Sequence, residues 1–202
     1  MYNIITIERQ YASGGNEIGR KLAEKLGYEL YDRNLLSMAA KELQIPSMYI
    51  EGLEETQTGG FLFNLSRTPL GGSGASKEKT MSEKLFAEEK RIIEEAADKG
   101  GCVIVGRAAG YILKERQECL NVFIHCGKDK RIERAIAREG ILASEAEGVL
   151  KKNDKRRSGF YNSVTDWEWG HPAFFELCLD SGKLGIDPCV QILAGIAQGF
   201  KE

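Results

Sequence analysis

Residues 3–27 pass from a β-branched run through a turn of small residues into an amphipathic stripe, and this succession constrains the fold more than anything else in the chain. Ile4, Ile5 and Ile7 with Thr6 offer apolar surface on both sides of an extended backbone, which suits a strand covered on both faces in a parallel sheet. From Asn16 onward the apolar positions are Ile18, Leu22, Ala23 and Leu26, a helical spacing that Gly27 is placed to end. Between them Ala12-Ser13-Gly14-Gly15 carries almost no side-chain bulk. Two readings of this turn stand side by side: a loop whose backbone N–H groups surround an anion at the helix N-terminus, or an ordinary tight strand-to-helix connection.

The rest of the chain repeats the alternation. Strands are predicted at about 3–8, 28–31, 102–105, 120–125 and 175–179, and helices at about 16–27, 33–43, 82–99, 107–114, 128–138, 143–157 and 186–199. Such alternation predicts a three-layer α/β domain with a parallel sheet, and 202 residues suffice for one core spanning 1–202. The Gly/Ser-rich stretch from Thr58 to Ser76, interrupted by Phe61, Phe63 and Leu65, is the main loop segment. A formal net charge of −2 supplies no global field toward nucleic acid or an anionic membrane. The five cysteines, Cys102, Cys119, Cys126, Cys178 and Cys189, are widely spaced without a metal-binding pattern and are expected to be reduced core residues of a cytoplasmic protein. The chain starts with its first strand and has no apolar run near the roughly 18 residues of a membrane span, so neither a leader nor an anchor is expected. The oligomeric state is not legible.

A P-loop closes with G-K-[ST], whereas here Gly15 is followed by Asn16 and Glu17. Phosphate chemistry at this loop must draw its cation from elsewhere. Ile18 to Asp32 is similar to the first helix and second strand of bacterial cytidylate kinases, and Leu179 to Asp187 to the segment entering their last helix. Val103-Ile104-Val105-Gly106-Arg107 stands where those enzymes have a strand ending in Gly-Arg. With Tyr31-Asp32-Arg33, the whole order resembles the cytidylate kinase-like family of P-loop nucleoside-monophosphate kinases, a branch in which the lysine-less loop is itself typical. The resemblance covers nearly the full chain. It implies a P-loop kinase fold, a helical lid at about 129–157, a mobile acceptor-binding insertion at about 44–81, use of ATP and Mg²⁺, and a small nucleotide as acceptor. The alternative is a catalytically silent nucleotide-binding or regulatory module. A nucleic-acid-binding role for the basic run 151–157 is disfavoured by the net charge and by the lack of interleaved aromatics.

The site residues follow from topology and from the resemblance together. The carboxyl ends of parallel strands face one crevice, so Arg9, Arg33 and Arg107 are predicted to converge there. Arg33 and Arg107 either hold an acceptor phosphate or pair with Asp32, Glu115 or a helix C-terminus. Arg9 either serves the phosphate-binding loop with Ser13, Gly14, Gly15, Asn16 and Glu17, or pairs with Glu8. Arg131, Arg134 and Arg138 share one helix side, which is either a solvated face or, as the resemblance implies, the catalytic arginines of the lid. Asp154 and Arg157 match the family's Asp-x-x-Arg of the second lid helix, although Leu150-Lys151 replaces the Arg-Asp that precedes it. Ser13 and Glu17 are candidate Mg²⁺ contacts, with a helix-dipole role the other reading of Glu17. Asp32 either orients the acceptor or caps the following helix. Ala108 stands where cytidylate kinases carry an aspartate that reads the nucleoside, so cytidine specificity does not transfer. His125 and His171 are expected to be structural, and Trp167, Trp169, Phe174 and Phe175 to be packing residues or an aromatic edge for a base.

Overall fold

The computed structural model describes residues 1–46 and 81–199. Five strands, β1 (Ile4–Arg9), β2 (Glu29–Tyr31), β3 (Cys102–Val105), β4 (Cys119–His125) and β5 (Leu177–Asp180), form one sheet in the order β2-β3-β1-β4-β5. Every pairing is parallel, with Ile4 opposite both Cys102 and Cys119. The helices are α1 (Gly15–Leu26), α2 (Asn34–Glu42), α3 (Met81–Lys99), α4 (Ala109–Ile112), α5 (Lys128–Glu139), α6 (Ala143–Val164), α7 (Ser181–Leu184) and α8 (Ile186–Gln198).

The period of two along β1 sorts its side chains into two cores. Ile4 and its neighbours Ile104 and Tyr31 pack against Leu35, Leu36 and Ala39 of α2 and Ile92, Ile93 and Ala96 of α3. Ile5 and Ile7, with Val103, Val105, Val122 and Ile124, pack against Ile18 and Leu22 of α1 and Leu193 and Ala194 of α8. The result is the expected three-layer sandwich with a parallel sheet. A polar residue within the sheet is satisfied locally: Thr6 Oγ1 donates to Asn121 Oδ1 at 2.9 Å, and Asn121 Nδ2 donates to the carbonyl of Phe174 at 2.8 Å.

Three departures from the predicted elements have physical causes. The helix predicted at 107–114 begins only at Ala109, because Gly106, Arg107 and Ala108 take successive φ values of 84°, 60° and 54°. The helix predicted to end at 157 runs on to Val164, carried by Phe160, Tyr161 and Val164, which join a small aromatic core with Phe123 and Phe175. The short helix α7 was not anticipated; Asp180 caps it by accepting from the amides of Gly182 and Lys183. Of the cysteines, Cys102, Cys119 and Cys189 are buried as expected, whereas Cys178 is exposed. Most of the expected insertion at 44–81, including the Gly/Ser-rich stretch, lies outside the described residues. No helix among the described residues is long and apolar enough to cross a membrane.

Candidate active site

The loop between β1 and α1 is wound rather than extended. Ala12 has φ 56° and Gly14, the residue preceding α1, has φ 83°. A Cβ at Gly14 would meet the tip of Ile186 and the guanidinium of Arg134, and the left-handed backbone there favours glycine. The amides of Gly14, Gly15, Asn16 and Glu17 have no acceptor among the described residues, and they gather at the positive end of the twelve-residue α1. Ser13 is buried, and its hydroxyl donates back to the carbonyl of Gln10 at 2.8 Å.

Arg9 is the last residue of β1, and its side chain lies between two glycines. A Cβ at Gly15 would meet its Cβ, and a Cβ at Gly106 would meet its Nη1. Its Nε donates to Asn16 Oδ1 at 2.8 Å, so the residue standing at the lysine position of a P-loop orients this arginine. Neither of the two readings of Arg9 made from sequence names this bond. Burial holds the Arg9 guanidinium below the ordinary arginine value, Glu8 opposing the shift and Arg33 and Arg107 adding to it.

Arg9, Arg33 and Arg107 do converge. They line a cavity of about 390 Å³ at the carboxyl edge of β1, β2 and β3, together with Arg156 and Arg157 from α6, the carboxylates of Glu8, Asp32 and Glu139, and the rings of Tyr11, Phe160 and Tyr161. Arg107 pairs with Glu89 of α3, a fully buried partner that is none of those anticipated, and its guanidinium lies 4.1 Å from the centre of the Phe160 ring. Burial raises Glu89 above the ordinary carboxylate range, and Arg107 opposes that shift. Among the described residues Arg9, Arg33, Arg156 and Arg157 have no carboxylate within ion-pair distance. Buried polar atoms without partners also gather on this side: Glu89 Oε1, Arg107 Nε and the Tyr161 hydroxyl. The left-handed turn at 106–108 costs about 1–3 kcal/mol per strained residue, and Glu8 braces it by accepting from the Ala108 amide at 3.1 Å.

The helices α5 and α6 clasp the loop. Arg131 donates to the Tyr11 carbonyl at 2.7 Å and pairs with Asp154, which accepts from the Tyr11 amide at 2.7 Å. Arg157 donates to the Arg9 carbonyl at 3.1 Å and lies 5.5 Å from the centre of the Tyr11 ring. Burial, and then Arg9, push Arg157 down to about 9. The Tyr11 hydroxyl donates to Glu139, and burial together with that bond pushes it up to about 12. Arg134 pairs with Glu17 above Gly14, and the bond holds Glu17 below the usual carboxylate range. Arg131, Arg134 and Arg138 therefore diverge: the first is buried in the clasp, the second crosses the loop, and Arg138 is exposed.

These contacts leave a resident metal poorly served. The Ser13 hydroxyl is turned into the loop and the Glu17 carboxylate is paired with Arg134 and Lys21, so the two expected contacts do not form a metal centre as they stand. No group of three or more His, Cys, Asp or Glu side chains suits a metal among the described residues. Asp32 lines the cavity and accepts from the Asn34 amide at 3.3 Å, just before α2. His171 caps a 3-10 turn through Nδ1, Trp167 stacks on Phe174, and Trp169 sits 5.2 Å from Phe123, so these residues pack rather than line the cavity.

Glu8, Glu89, Arg156, Phe160 and Tyr161 were not singled out as site residues from sequence. A signal existed for Glu89, which falls on the apolar face of α3 between Leu85 and Ile92. None existed for Tyr161, whose position depends on how far α6 extends.

The fold is shared with solved structures. An uncharacterized protein from Eubacterium ventriosum ATCC 27560 matches with a TM-score of 0.73 at 25% identity, over 97% of this chain and 98% of that one. Shikimate kinase from Bacteroides thetaiotaomicron matches with a TM-score of 0.54 at 14% identity, over 96% and 98%. A gluconokinase from Sinorhizobium meliloti 1021 matches with a TM-score of 0.53 at 16% identity, over 96% and 93%. No curated protein sequence matches the chain. The model of the cytidylate kinase-like family matches residues 4–183, and the chain belongs to that family.

Proposed function

We propose that the protein transfers the γ-phosphoryl group of ATP to a small anionic acceptor held in the arginine-lined cavity. Membership of a kinase-like family and a fold shared with P-loop kinases support a nucleotide-dependent phosphotransferase. The observation that carries the reading is that the free amides of Gly14 to Glu17 adjoin a cavity whose arginines outnumber its carboxylates, with Arg9, Arg33, Arg156 and Arg157 lacking ion-pair partners among the described residues. Burial makes the Arg9 and Arg157 guanidinium groups costly without an anion, Arg33 adds an exposed charge beside them, and a phosphate supplies the anion. In this reading the loop amides hold the donor phosphates, and Arg33 and Arg107 hold the acceptor's anionic group. Arg131 and Asp154 fix the lid, and Arg134 crosses to the donor side. Asp32 accepts a proton where the acceptor oxygen carries one. Mg²⁺ enters as part of the ATP complex. A nucleoside monophosphate fits the family name and the cation-rich wall. A phosphorylated or carboxylated metabolite fits equally, because Ala108 offers no side chain to read a base.

A second reading, a silent nucleotide-binding module, is favoured by one observation: Glu17 already occupies Arg134 above the loop. A coupled ADP-release assay over the four nucleoside monophosphates and a panel of small phosphorylated and carboxylated metabolites separates the two. Turnover is expected with at least one acceptor; ATP binding without turnover on any of them supports the silent module.

A further inference from the structure

Asn16 stands at the lysine position of the loop, and an arginine is held against it. Arg9 extends from the end of β1 across Gly15, its Nε is held at 2.8 Å by Asn16 Oδ1, and its terminal nitrogens reach the surface of Gly106. It lines the cavity, and those terminal nitrogens have no acceptor among the described residues. The guanidinium thus stands at the border between the loop with its free amides and the cavity with its acceptor arginines. Space for it is built in on both sides, since a side chain at Gly15 or Gly106 would displace it. A lysine at position 16 would remove the carbonyl that orients Arg9 and place a second cation against it.

We propose that Arg9 is the catalytic cation of phosphoryl transfer, contacting the γ-phosphate of ATP in place of the loop lysine, and that Asn16 is its positioning residue. This rests on the phosphotransferase reading above. In the step itself a lone pair on the acceptor oxygen forms a bond to the γ-phosphorus as the bond from that phosphorus to the β,γ-bridging oxygen breaks, and the electron pair leaves on ADP. A hydroxyl acceptor gives its proton to Asp32; a phosphate acceptor carries none to give. Arg9 exchanges no proton. Its planar donors hold the charge spread over the transferred group, which a point-charge ammonium would otherwise do from the loop.

The contact is specific to the γ-phosphate, so it can be read from binding alone. Calorimetric titration with ATP and with ADP, both with Mg²⁺, is expected to show the wild-type protein favouring ATP by about tenfold to a hundredfold, the size of one charge-assisted contact. Arg9→Met, which fills the space without charge, should bring the two nucleotides within about threefold of each other while ADP affinity stays within the same margin. Adding Asn16→Lys to Arg9→Met should restore discrimination, because the charge returns from the ordinary P-loop position. Equal binding of ATP and ADP by wild type, retained discrimination in folded Arg9→Met, or no recovery in the double variant overturns the proposal. Should Arg9→Met not fold, Asn16→Ala carries the test: a lowered ATP preference supports the role and an unchanged one overturns it. Absence of turnover with every acceptor, alongside an ATP preference that depends on Arg9, would defeat the phosphotransferase reading and leave the γ-phosphate contact standing.

Discussion

Arg157 illustrates what one residue does when its charge is set deep and left without a carboxylate. Burial first, and Arg9 second, push it down to about 9, whereas in the unfolded chain it keeps its proton far above that. Between about 9 and the ordinary arginine value the folded protein therefore binds fewer protons than the unfolded one, and the contribution of this residue to stability rises with pH. Below about 9 the charged form is kept at a cost. A bound oxyanion reverses the balance by favouring the protonated guanidinium. Affinity for inorganic phosphate or ATP is thus expected to hold constant up to about pH 8 and then to fall as pH rises through 9, approaching about tenfold per unit. Tyr11, held up to about 12, stays neutral through that window. Titration calorimetry from pH 7.5 to 10 checks this, and Arg157→Gln should flatten the profile. An unchanged affinity across the range in the unmodified protein would show that Arg157 does not meet the anion.

At the scale of elements, α5 and the part of α6 up to Arg157 rest on few apolar contacts: Ala135 and Leu150, with Ile132, Ile141 and Val149 around them, meet Tyr11 and Ala12 of the loop. Polar bonds do the remaining work, above all Asp154 with the Tyr11 amide and Arg131. Asp154→Ala strands the buried Arg131 and is expected to cost about 3 kcal/mol in denaturant unfolding. A segment held this way opens locally, so the proposed lid at 129–157 should exchange its amides faster than α1 or the sheet and gain protection selectively with ATP and Mg²⁺. Full protection without ligand, or none gained with it, argues against a lid. The sequence periodicities located all five strands and most of the helices because the two cores need opposite faces of each strand and one stripe of each helix. They misplaced the ends that tertiary contacts decide. The start of α4 depends on a left-handed turn braced by Glu8 from another strand, and the end of α6 depends on an aromatic cluster assembled from β4 and the segment before β5.

For the whole molecule, topology made the convergence of Arg9, Arg33 and Arg107 legible, since a parallel sheet brings its carboxyl ends to one edge. What stayed hidden was pairing across the fold. Nothing local in sequence joins Arg107 to Glu89, Arg134 to Glu17, or Asn16 to Arg9, and these pairings decide which arginines remain available. The proposal that the arginines of the cavity, paired and unpaired, serve phosphoryl transfer makes a direct demand on the fate of the γ-phosphate. The decisive measurement follows ATP labelled at that phosphate, incubated with the protein, Mg²⁺ and a fractionated small-molecule extract. The label is expected to leave ATP for a single small anionic product, and to remain in ATP when Arg33 and Arg107 are both replaced by methionine in a folded variant. Label that stays in ATP with the unmodified protein, or that appears only as inorganic phosphate, contradicts phosphoryl transfer to a bound acceptor.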